Sequence, residues 1–271
     1  MLKRIITGAF IVAVTVGFFL LRQLVDYRLF YIYLAAISLV STFEMLRACG
    51  EKINLPRKVT VLAAQALALV GFFFGGWGWA LASLCVAAVV LMLIAVFSGE
   101  GDLSSLAVSF LCLIYPGAFH LMLFAMNSIG ELSFIALLLT FAISPLCDTM
   151  AFFTGVALKG PKLCPAVSPN KTVSGAAGGL IGGVIGGILV YAIFGGEFTY
   201  HLNSSPYLWF ALVGLVAGAL TELGDLAESY IKRQTGIKDS GKIFPGHGGM
   251  LDRVDGMTLA AAFIYAVTAI L

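Results

Sequence analysis

Long apolar runs dominate this sequence and leave few folds open to it. A helix needs about 20 mostly apolar residues to cross the hydrocarbon core of a bilayer. Nine segments reach that length, approximately 5–22, 29–48, 59–76, 78–97, 104–126, 132–157, 174–194, 207–230 and 256–271. None alternates polar and apolar residues as a membrane-spanning strand does. The sequence therefore predicts an all-α polytopic membrane protein with about nine transmembrane helices.

Composition agrees with that class and excludes others. Apolar residues make up 60% of the chain and charged residues 11%, against roughly 45–50% and about 25% in soluble domains. The net charge of +2 is too small to indicate nucleic-acid binding. We expect one integral membrane domain, 1–271, with an N-terminal helical part, 1–130, and a catalytic part, 131–271, that carries the polar motifs.

The basic residues are distributed very unevenly between the two sides of the predicted helices. With nine spans, the N-terminus and the even-numbered loops share one side, and this side carries all but two of the 16 basic residues. Only Arg22 and Arg28 lie on the other side. Because basic loops stay in the cytoplasm, we expect a cytoplasmic N-terminus and a C-terminus on the outer side.

Acidic residues inside the predicted spans need an explanation, because an isolated acid at the bilayer centre costs about 2.5–3.5 kcal/mol. Six of them lie in or beside the last four spans: Asp148, Glu222, Asp225, Glu228, Asp252 and Asp255. Glu222, Asp225 and Glu228 are three apart and share one helix face. The partners that the sequence offers are divalent cations and basic side chains, and helix-end salt bridges with Lys232 or Arg253 are the simpler alternative.

Two predicted cytoplasmic loops, 159–172 and 231–253, hold most of the remaining polar residues. Clustered carboxylates suit Mg²⁺, a hard cation that prefers oxygen ligands, and lysines and arginines neutralise phosphate. Successive backbone N–H groups around the glycines of 246–249 are able to form an anion-binding concavity. These features predict a membrane enzyme that uses Mg²⁺ for phosphoryl or nucleotidyl transfer, and they do not name the nucleotide.

Residues 229–255 read S-x-x-K-R-x4-K-D-S-G-x3-P-G-H-G-G-x2-D-R-x-D. This pattern resembles the signature of the phosphatidate cytidylyltransferases, the CDP-diacylglycerol synthases. Two shorter stretches are also similar to that family, the D-T-x-A-F-x-x-G segment of 148–155 and the S-P-N-K-T segment of 168–172. Ser174 departs from the family, which usually has an acid at that position.

The resemblance implies that CTP and phosphatidic acid react, with Mg²⁺ and room for a second cation, to give CDP-diacylglycerol and pyrophosphate. It implies the metal ligands Asp225, Asp252 and Asp255, which count as catalytic together with Lys232 and Arg233. Substrate-binding residues would be Asp148, Lys171, Ser229, Lys238, Asp239, His247, Gly248, Gly249 and Arg253. The active site of such an enzyme would face the cytoplasm from the inner (plasma) membrane, where it meets membrane lipid.

Glycines repeat every fourth residue in the seventh span, in the rows 175, 179, 183, 187 and 178, 182, 186. Such stripes of small residues allow helices to approach closely. The contact is either within the chain or between the subunits of a homodimer, and the sequence leaves both open.

Other functions fit parts of the pattern. A CTP-dependent polyisoprenol or phytol kinase would have a similar membrane core but would release CDP instead of pyrophosphate. An ion-coupled or proton-coupled transporter would explain intramembrane acids, although the acids gather near one face and no internal repeat is visible. A purely structural role would leave the polar loop 231–253 unexplained.

Overall fold

The computed structural model describes residues 2–98, 103–195 and 205–271, with side chains from Ile5 onward. Its helices are α1 (Leu2–Leu24), α2 (Leu29–Ala48), α3 (Leu55–Ser98), α4 (Leu103–Cys112), α5 (Phe119–Ala125), α6 (Ser133–Leu158), α7 (Val173–Phe194), α8 (Pro206–Gln234) and α9 (Leu251–Ile270). Short 3-10 or π-helical turns cover Gly50–Lys52, Leu113–Ala118, Met126–Ser128 and Gly130–Leu132. The side chains of Lys3 and Arg4, which enter the charge argument, lie outside the described part.

Helices of membrane-spanning length make up most of the described chain, which confirms the predicted all-α membrane class. Eight helical stretches in the described residues are long and apolar enough to cross a bilayer. The predicted spans 59–76 and 78–97 both fall in the 44-residue α3, which is interrupted at Gly76 (φ 71°, ψ −159°). A Cβ on Gly71 would lie 3.2 Å from the Cβ of Trp79, whereas eight residues of straight helix span about 12 Å. The chain therefore turns back at Gly76.

The chain divides into two compact units. The first unit contains Met1–Ala125 and Thr235–Arg253, and the second contains Met126–Gln234 and Val254–Leu271. The expected division into an N-terminal part, 1–130, and a catalytic part, 131–271, stays a prediction. The segment Thr235–Arg253, which follows α8 in sequence, belongs by its contacts to the first unit.

Aromatic and polar contacts hold the helices of the first unit together. The ring of Tyr31 on α2 lies 5.4 Å from that of Phe73 on α3 and 4.5 Å from that of Phe124 on α5. About two turns away along α2 and α3, the side-chain amide of Gln65 donates to the Ser38 hydroxyl at 2.6 Å and to the Gly117 carbonyl at 3.2 Å. The buried amide of α3 is thus satisfied by its neighbours instead of by water.

Close packing of α6, α7 and α8 is the main feature of the second unit. One row of glycines on α7 faces α6: Gly178, Gly182 and Gly186. The other row faces mainly α8: Gly179, Gly183 and Gly187. A Cβ on Gly218 would lie 3.2 Å from the Cα of Gly183, a separation that only small residues permit. Both rows are used within the chain, and the homodimer stays a prediction.

Between α6 and α7 the chain forms a small hairpin that the sequence did not predict. Strand β1 (Lys162–Cys164) pairs antiparallel with β2 (Ser168–Thr172), with Lys162 opposite Thr172. Thr172 is also the N-cap of α7, because its hydroxyl oxygen accepts from the Gly175 backbone N–H at 3.1 Å. The hairpin and the cap together fix the neighbouring Lys171 at the start of α7.

Candidate active site

A pocket with a volume of ≈ 730 Å³ opens among α6, the hairpin, α7 and α8 of the second unit. Its charged lining residues are Asp148, Lys159, Lys162, Lys171, Glu222 and Asp225. Phe152 and Val156 of α6, whose side chains are exposed, add apolar surface to the pocket lining. The pocket thus combines acidic, basic and apolar groups, and its size is in the range of small-molecule sites.

Lys171 joins two of the acids at the centre of this pocket. Its ammonium Nζ lies 2.7 Å from Glu222 Oε2 and 2.8 Å from Asp225 Oδ2. Burial by itself lowers the pKa of Lys171, but the carboxylates of Asp225 and Glu222 raise it more. The net pKa therefore lies above the usual value, and Lys171 carries its positive charge at neutral pH.

The acidic row on α8 is divided between two lysines. Glu222 and Asp225 contact Lys171, whereas the buried Glu228 pairs with Lys232 one turn along the same helix. Of the helix-end salt bridges considered as the simpler alternative, the structure shows the one between Lys232 and Glu228. Ser229 donates to Asp225 Oδ1 at 3.2 Å, so one oxygen of Asp225 faces a lysine and the other a hydroxyl.

Asp255 lies in the first turns of α9, a helix that begins at Leu251 and not at the predicted residue 256. Its Oδ1 accepts from the backbone N–H of Gly256 at 2.8 Å. The carboxylate also interacts electrostatically with Asp225, Asp148 and Lys232. At the same level a Cβ on Gly224 of α8 would collide with the Asp255 carbonyl oxygen, so α8 and α9 are in backbone contact there.

The glycine-rich part of the signature forms a closed loop in the first unit, residues 239–250. The N–H of Phe244 donates to the Gly248 carbonyl at 2.9 Å, and the N–H of His247 donates to the Phe244 carbonyl at 2.9 Å. Gly246 and Gly248 have φ values of 80° and 83°, which side chains with a Cβ rarely adopt. The turn therefore requires glycine at these two positions.

Asp252 holds this loop from the start of α9. Its Oδ2 accepts backbone N–H groups from Ser240 at 2.9 Å and from Gly249 at 2.7 Å. The side chain is buried, at 8% exposure. Asp252 thus has a structural function in the loop in addition to the metal-binding function predicted for it.

Glu44 on α2 is a site residue that the sequence reasoning missed. It is 2% exposed, and its Oε2 accepts the backbone N–H of Leu251 at 2.8 Å. The only sequence signal was a single acid within an otherwise apolar predicted span. The sequence placed Glu222 in the acidic row of α8 without a function of its own. In the structure it is an ion-pair partner of Lys171.

The remaining predicted residues lie at the surface of their units. Arg233 is exposed, and its Nε donates to the Val167 carbonyl at 3.2 Å. Lys238, Asp239 and Arg253 are exposed, and His247 is partly buried. These placements leave their predicted substrate contacts as predictions.

No group of three or more His, Cys, Asp and Glu side chains in residues 2–98, 103–195 and 205–271 is arranged to hold a metal ion. The donor chemistry nevertheless fits Mg²⁺, because Asp148, Glu222 and Asp225 offer carboxylate oxygens in one open pocket. The assignment of Mg²⁺, and of a second cation, to Asp225, Asp252 and Asp255 stays a prediction. Asp225 and Asp255 belong to the second unit and Asp252 to the first.

Comparison with known proteins identifies relatives along the whole chain. The cytidylyltransferase family matches residues 2–271. The chain is 31% identical to a phosphatidate cytidylyltransferase of Bacillus subtilis over 277 aligned positions, which cover 100% of this chain and 98% of that protein. A protein of the same name from Helicobacter pylori is 33% identical, with 98% of this chain and 91% of that protein covered. A third, from Brucella abortus, is 42% identical over 159 residues, which are 58% of this chain and 56% of that protein.

Proposed function

Because this chain belongs to the cytidylyltransferase family, we propose that it transfers the cytidylyl group of CTP to phosphatidic acid. The products are CDP-diacylglycerol and pyrophosphate. A phosphate oxygen of phosphatidic acid attacks the α-phosphorus of CTP, and the bond from that phosphorus to the bridging oxygen of the β-phosphate breaks. The relatives named above carry the name of this activity.

The pocket around Lys171 is the observation that supports this proposal most directly. Nucleotidyl transfer needs positioned charge more than covalent chemistry. Lys171, together with Lys159 and Lys162 in the lining of the same pocket, supplies positive charge for phosphate groups. The exposed apolar surface of Phe152 and Val156 suits the acyl chains of a lipid substrate. One pocket therefore offers complementary surfaces to both reactants.

The proposal gives the other residues defined tasks. Asp225, Asp252 and Asp255 would hold Mg²⁺, which supplies charge neutralisation to a triphosphate. The loop of residues 239–250 binds phosphate oxygens of CTP through its backbone N–H groups, assisted by Lys238 and Arg253. Lys232 and Arg233 at the end of α8 supply further positive charge. Asp148 orients Lys171 or the nucleotide from α6.

We also propose nine spans, with the N-terminus and the active site on the cytoplasmic side of the inner (plasma) membrane. The reversal at Gly76 supports this count, because each half of α3 is itself long enough to cross. The basic residues support the orientation. CTP then reaches the site from the cytosol, and the phosphatidic acid headgroup lies at the same interface.

The decisive experiment uses purified full-length protein, CTP labelled in its α-phosphate and phosphatidic acid in detergent micelles, with and without Mg²⁺. We expect labelled CDP-diacylglycerol and an equal amount of pyrophosphate, and no turnover after the divalent cation is chelated. Release of labelled CDP when a polyisoprenol replaces phosphatidic acid would instead identify a kinase. Labelled lipid formed at the same rate in excess chelator would refute the magnesium requirement alone.

A further inference from the structure

The glycine loop carries two glycines that its backbone conformation does not explain. Gly236, Gly246 and Gly248 have positive φ values, whereas Gly241 and Gly249 do not. Most residue types could adopt the backbone conformation of Gly241 and Gly249. At both positions a neighbouring side chain occupies the space that a Cβ would take.

That neighbour is the carboxylate of Glu44. A Cβ on Gly241 would collide with Glu44 Oε1, and a Cβ on Gly249 would collide with both carboxylate oxygens. Glu44 is 2% exposed and its Oε2 accepts the Leu251 N–H, so the carboxylate has little room to move away from an added methyl group. The carboxylate of Glu44 therefore contacts the loop at Gly241 and at Gly249, which are eight residues apart in sequence.

Glu44 also binds the residue that follows the loop. Its Oε2 accepts the Leu251 N–H at 2.8 Å, and Leu251 is the first residue of α9. An acid at this position caps a free N–H group and interacts favourably with the positive end of the helix dipole. A carboxylate from a distant helix thus performs the function that a local N-cap side chain usually performs.

Asp252 binds the same backbone through the N–H groups of Ser240 and Gly249. Gly249 is therefore in contact with the carboxylates of both Glu44 and Asp252. Two buried carboxylates that receive backbone N–H groups leave the loop little freedom.

We propose that Glu44 is a positioning residue of the active site, which sets the conformation of the 239–250 loop and thereby the affinity for the triphosphate of CTP. This inference rests on the proposed function, because it takes the loop to be a phosphate-binding element. It assigns to the N-terminal helices a task in nucleotide binding, carried by one buried carboxylate. It also explains glycine at 241 and 249 as the space that this carboxylate occupies.

The test compares Glu44→Gln, Glu44→Ala, Gly249→Ala and the double variant Glu44→Ala/Gly249→Ala in the micellar assay, with kcat and KM measured for each substrate. We expect Glu44→Ala and Gly249→Ala each to raise KM for CTP roughly tenfold, because the first loses a hydrogen bond to a charged group and the second adds a methyl group that displaces the carboxylate. KM for phosphatidic acid should change less than twofold. The double variant should be no worse than the worse single variant, because removal of the carboxylate makes room for the new methyl group.

Glu44→Gln keeps the volume of the side chain, and its amide oxygen can still accept the Leu251 N–H. It should therefore fold even where Glu44→Ala does not, with a two- to fivefold increase in KM for CTP. Glu51→Gln, which neutralises an exposed acid in the turn after α2, is the matched control and should match the wild type.

Two results would overturn the inference. The first is an unchanged KM for CTP in every Glu44 variant with only the amount of active enzyme reduced, which would make Glu44 a stability residue. The second is a double variant whose increase in KM for CTP equals the product of the increases in the two single variants. This result would show that Glu44 and Gly249 act independently. Failure of the proposed function has a different signature, because the wild-type protein would then form no labelled CDP-diacylglycerol at all.

Discussion

Acidic side chains are stabilised in different ways in the two units. In the second unit, Glu222 and Asp225 share the ammonium group of Lys171. In the first unit, Asp252 and Glu44 accept backbone N–H groups. A lysine side chain can move and exchange a carboxylate for a phosphate or make room for a metal ion, whereas a backbone N–H group is part of the fold. The carboxylates of Glu222 and Asp225 are thus held by a side chain that can be exchanged for another partner, whereas those of Glu44 and Asp252 are held by the backbone of a loop.

Asp225→Asn and Asp252→Asn test this contrast directly and should have the largest effects. We expect both variants to lose at least roughly 100-fold in kcat, in line with the removal of one charged group that stabilises a transition state. Only Asp252→Asn should also increase amide hydrogen exchange at Ser240 and Gly249, because only Asp252 binds those N–H groups. Glu131→Gln, an exposed acid in a short turn before α6, serves as the control for loss of negative charge.

Equal protection of the loop in both variants would show that Asp252 contributes nothing to its structure. Near wild-type turnover in either variant would remove that aspartate from the metal site. Hydrogen exchange and kinetics on the same preparation keep these two outcomes apart.

Lys171→Met should both slow the reaction and destabilise the second unit. The substitution leaves two carboxylates unpaired at a largely buried position, and the loss of one partner of such a pair costs roughly 3 kcal/mol. Thermal unfolding in detergent should therefore begin at a lower temperature. The double variant Lys171→Met/Glu222→Gln removes one of the two carboxylates left without their lysine. It should recover part of the unfolding temperature without recovering activity. Recovery of both would assign Lys171 to stability alone.

A comparison of Gly248→Ala with Gly236→Ala distinguishes the effect of backbone strain on CTP binding from the effect of a contact with Asp252. Both glycines have positive φ, at 83° and 71°, and alanine there costs roughly 1–2 kcal/mol. A Cβ on Gly248 would also lie 2.5 Å from Asp252 Oδ2, whereas nothing lies within 4 Å of a Cβ on Gly236. We expect a several-fold larger increase in KM for CTP from Gly248→Ala. Identical kinetics in the two variants would indicate that the Asp252 contact is unimportant.

Ser229→Ala should have the smallest effect. It removes the 3.2 Å hydrogen bond to Asp225, which contributes about 1 kcal/mol, but leaves the ion pair with Lys171 in place. We expect kcat/KM to fall about fivefold and the unfolding temperature to fall by no more than a few degrees. A loss as large as that of Asp225→Asn would mean that Ser229 contacts a reactant itself.

The helices and most of the site residues could be predicted because they depend on local information. Lipid selects apolar runs of a certain length, and the ends of α2, α6 and α7 agree with the predicted limits to within one or two residues. The spacing of three residues in the acidic row placed Glu222 and Asp225 on one face of α8. The hairpin at Lys162–Thr172 was not predictable, because its strands are short and gain their stability from contacts with α7 and α8.

The amino-acid sequence by itself determined the membrane class, the helical segments and the residue types of a phosphate-directed site, since each follows from composition, periodicity or spacing along the chain. Only the tertiary structure decided which charges meet. It divided the acids between Lys171, Lys232 and backbone N–H groups, and it brought Glu44 against a loop about 200 residues away in sequence. Such pairings depend on which helices lie side by side, and no local pattern in an apolar chain encodes that.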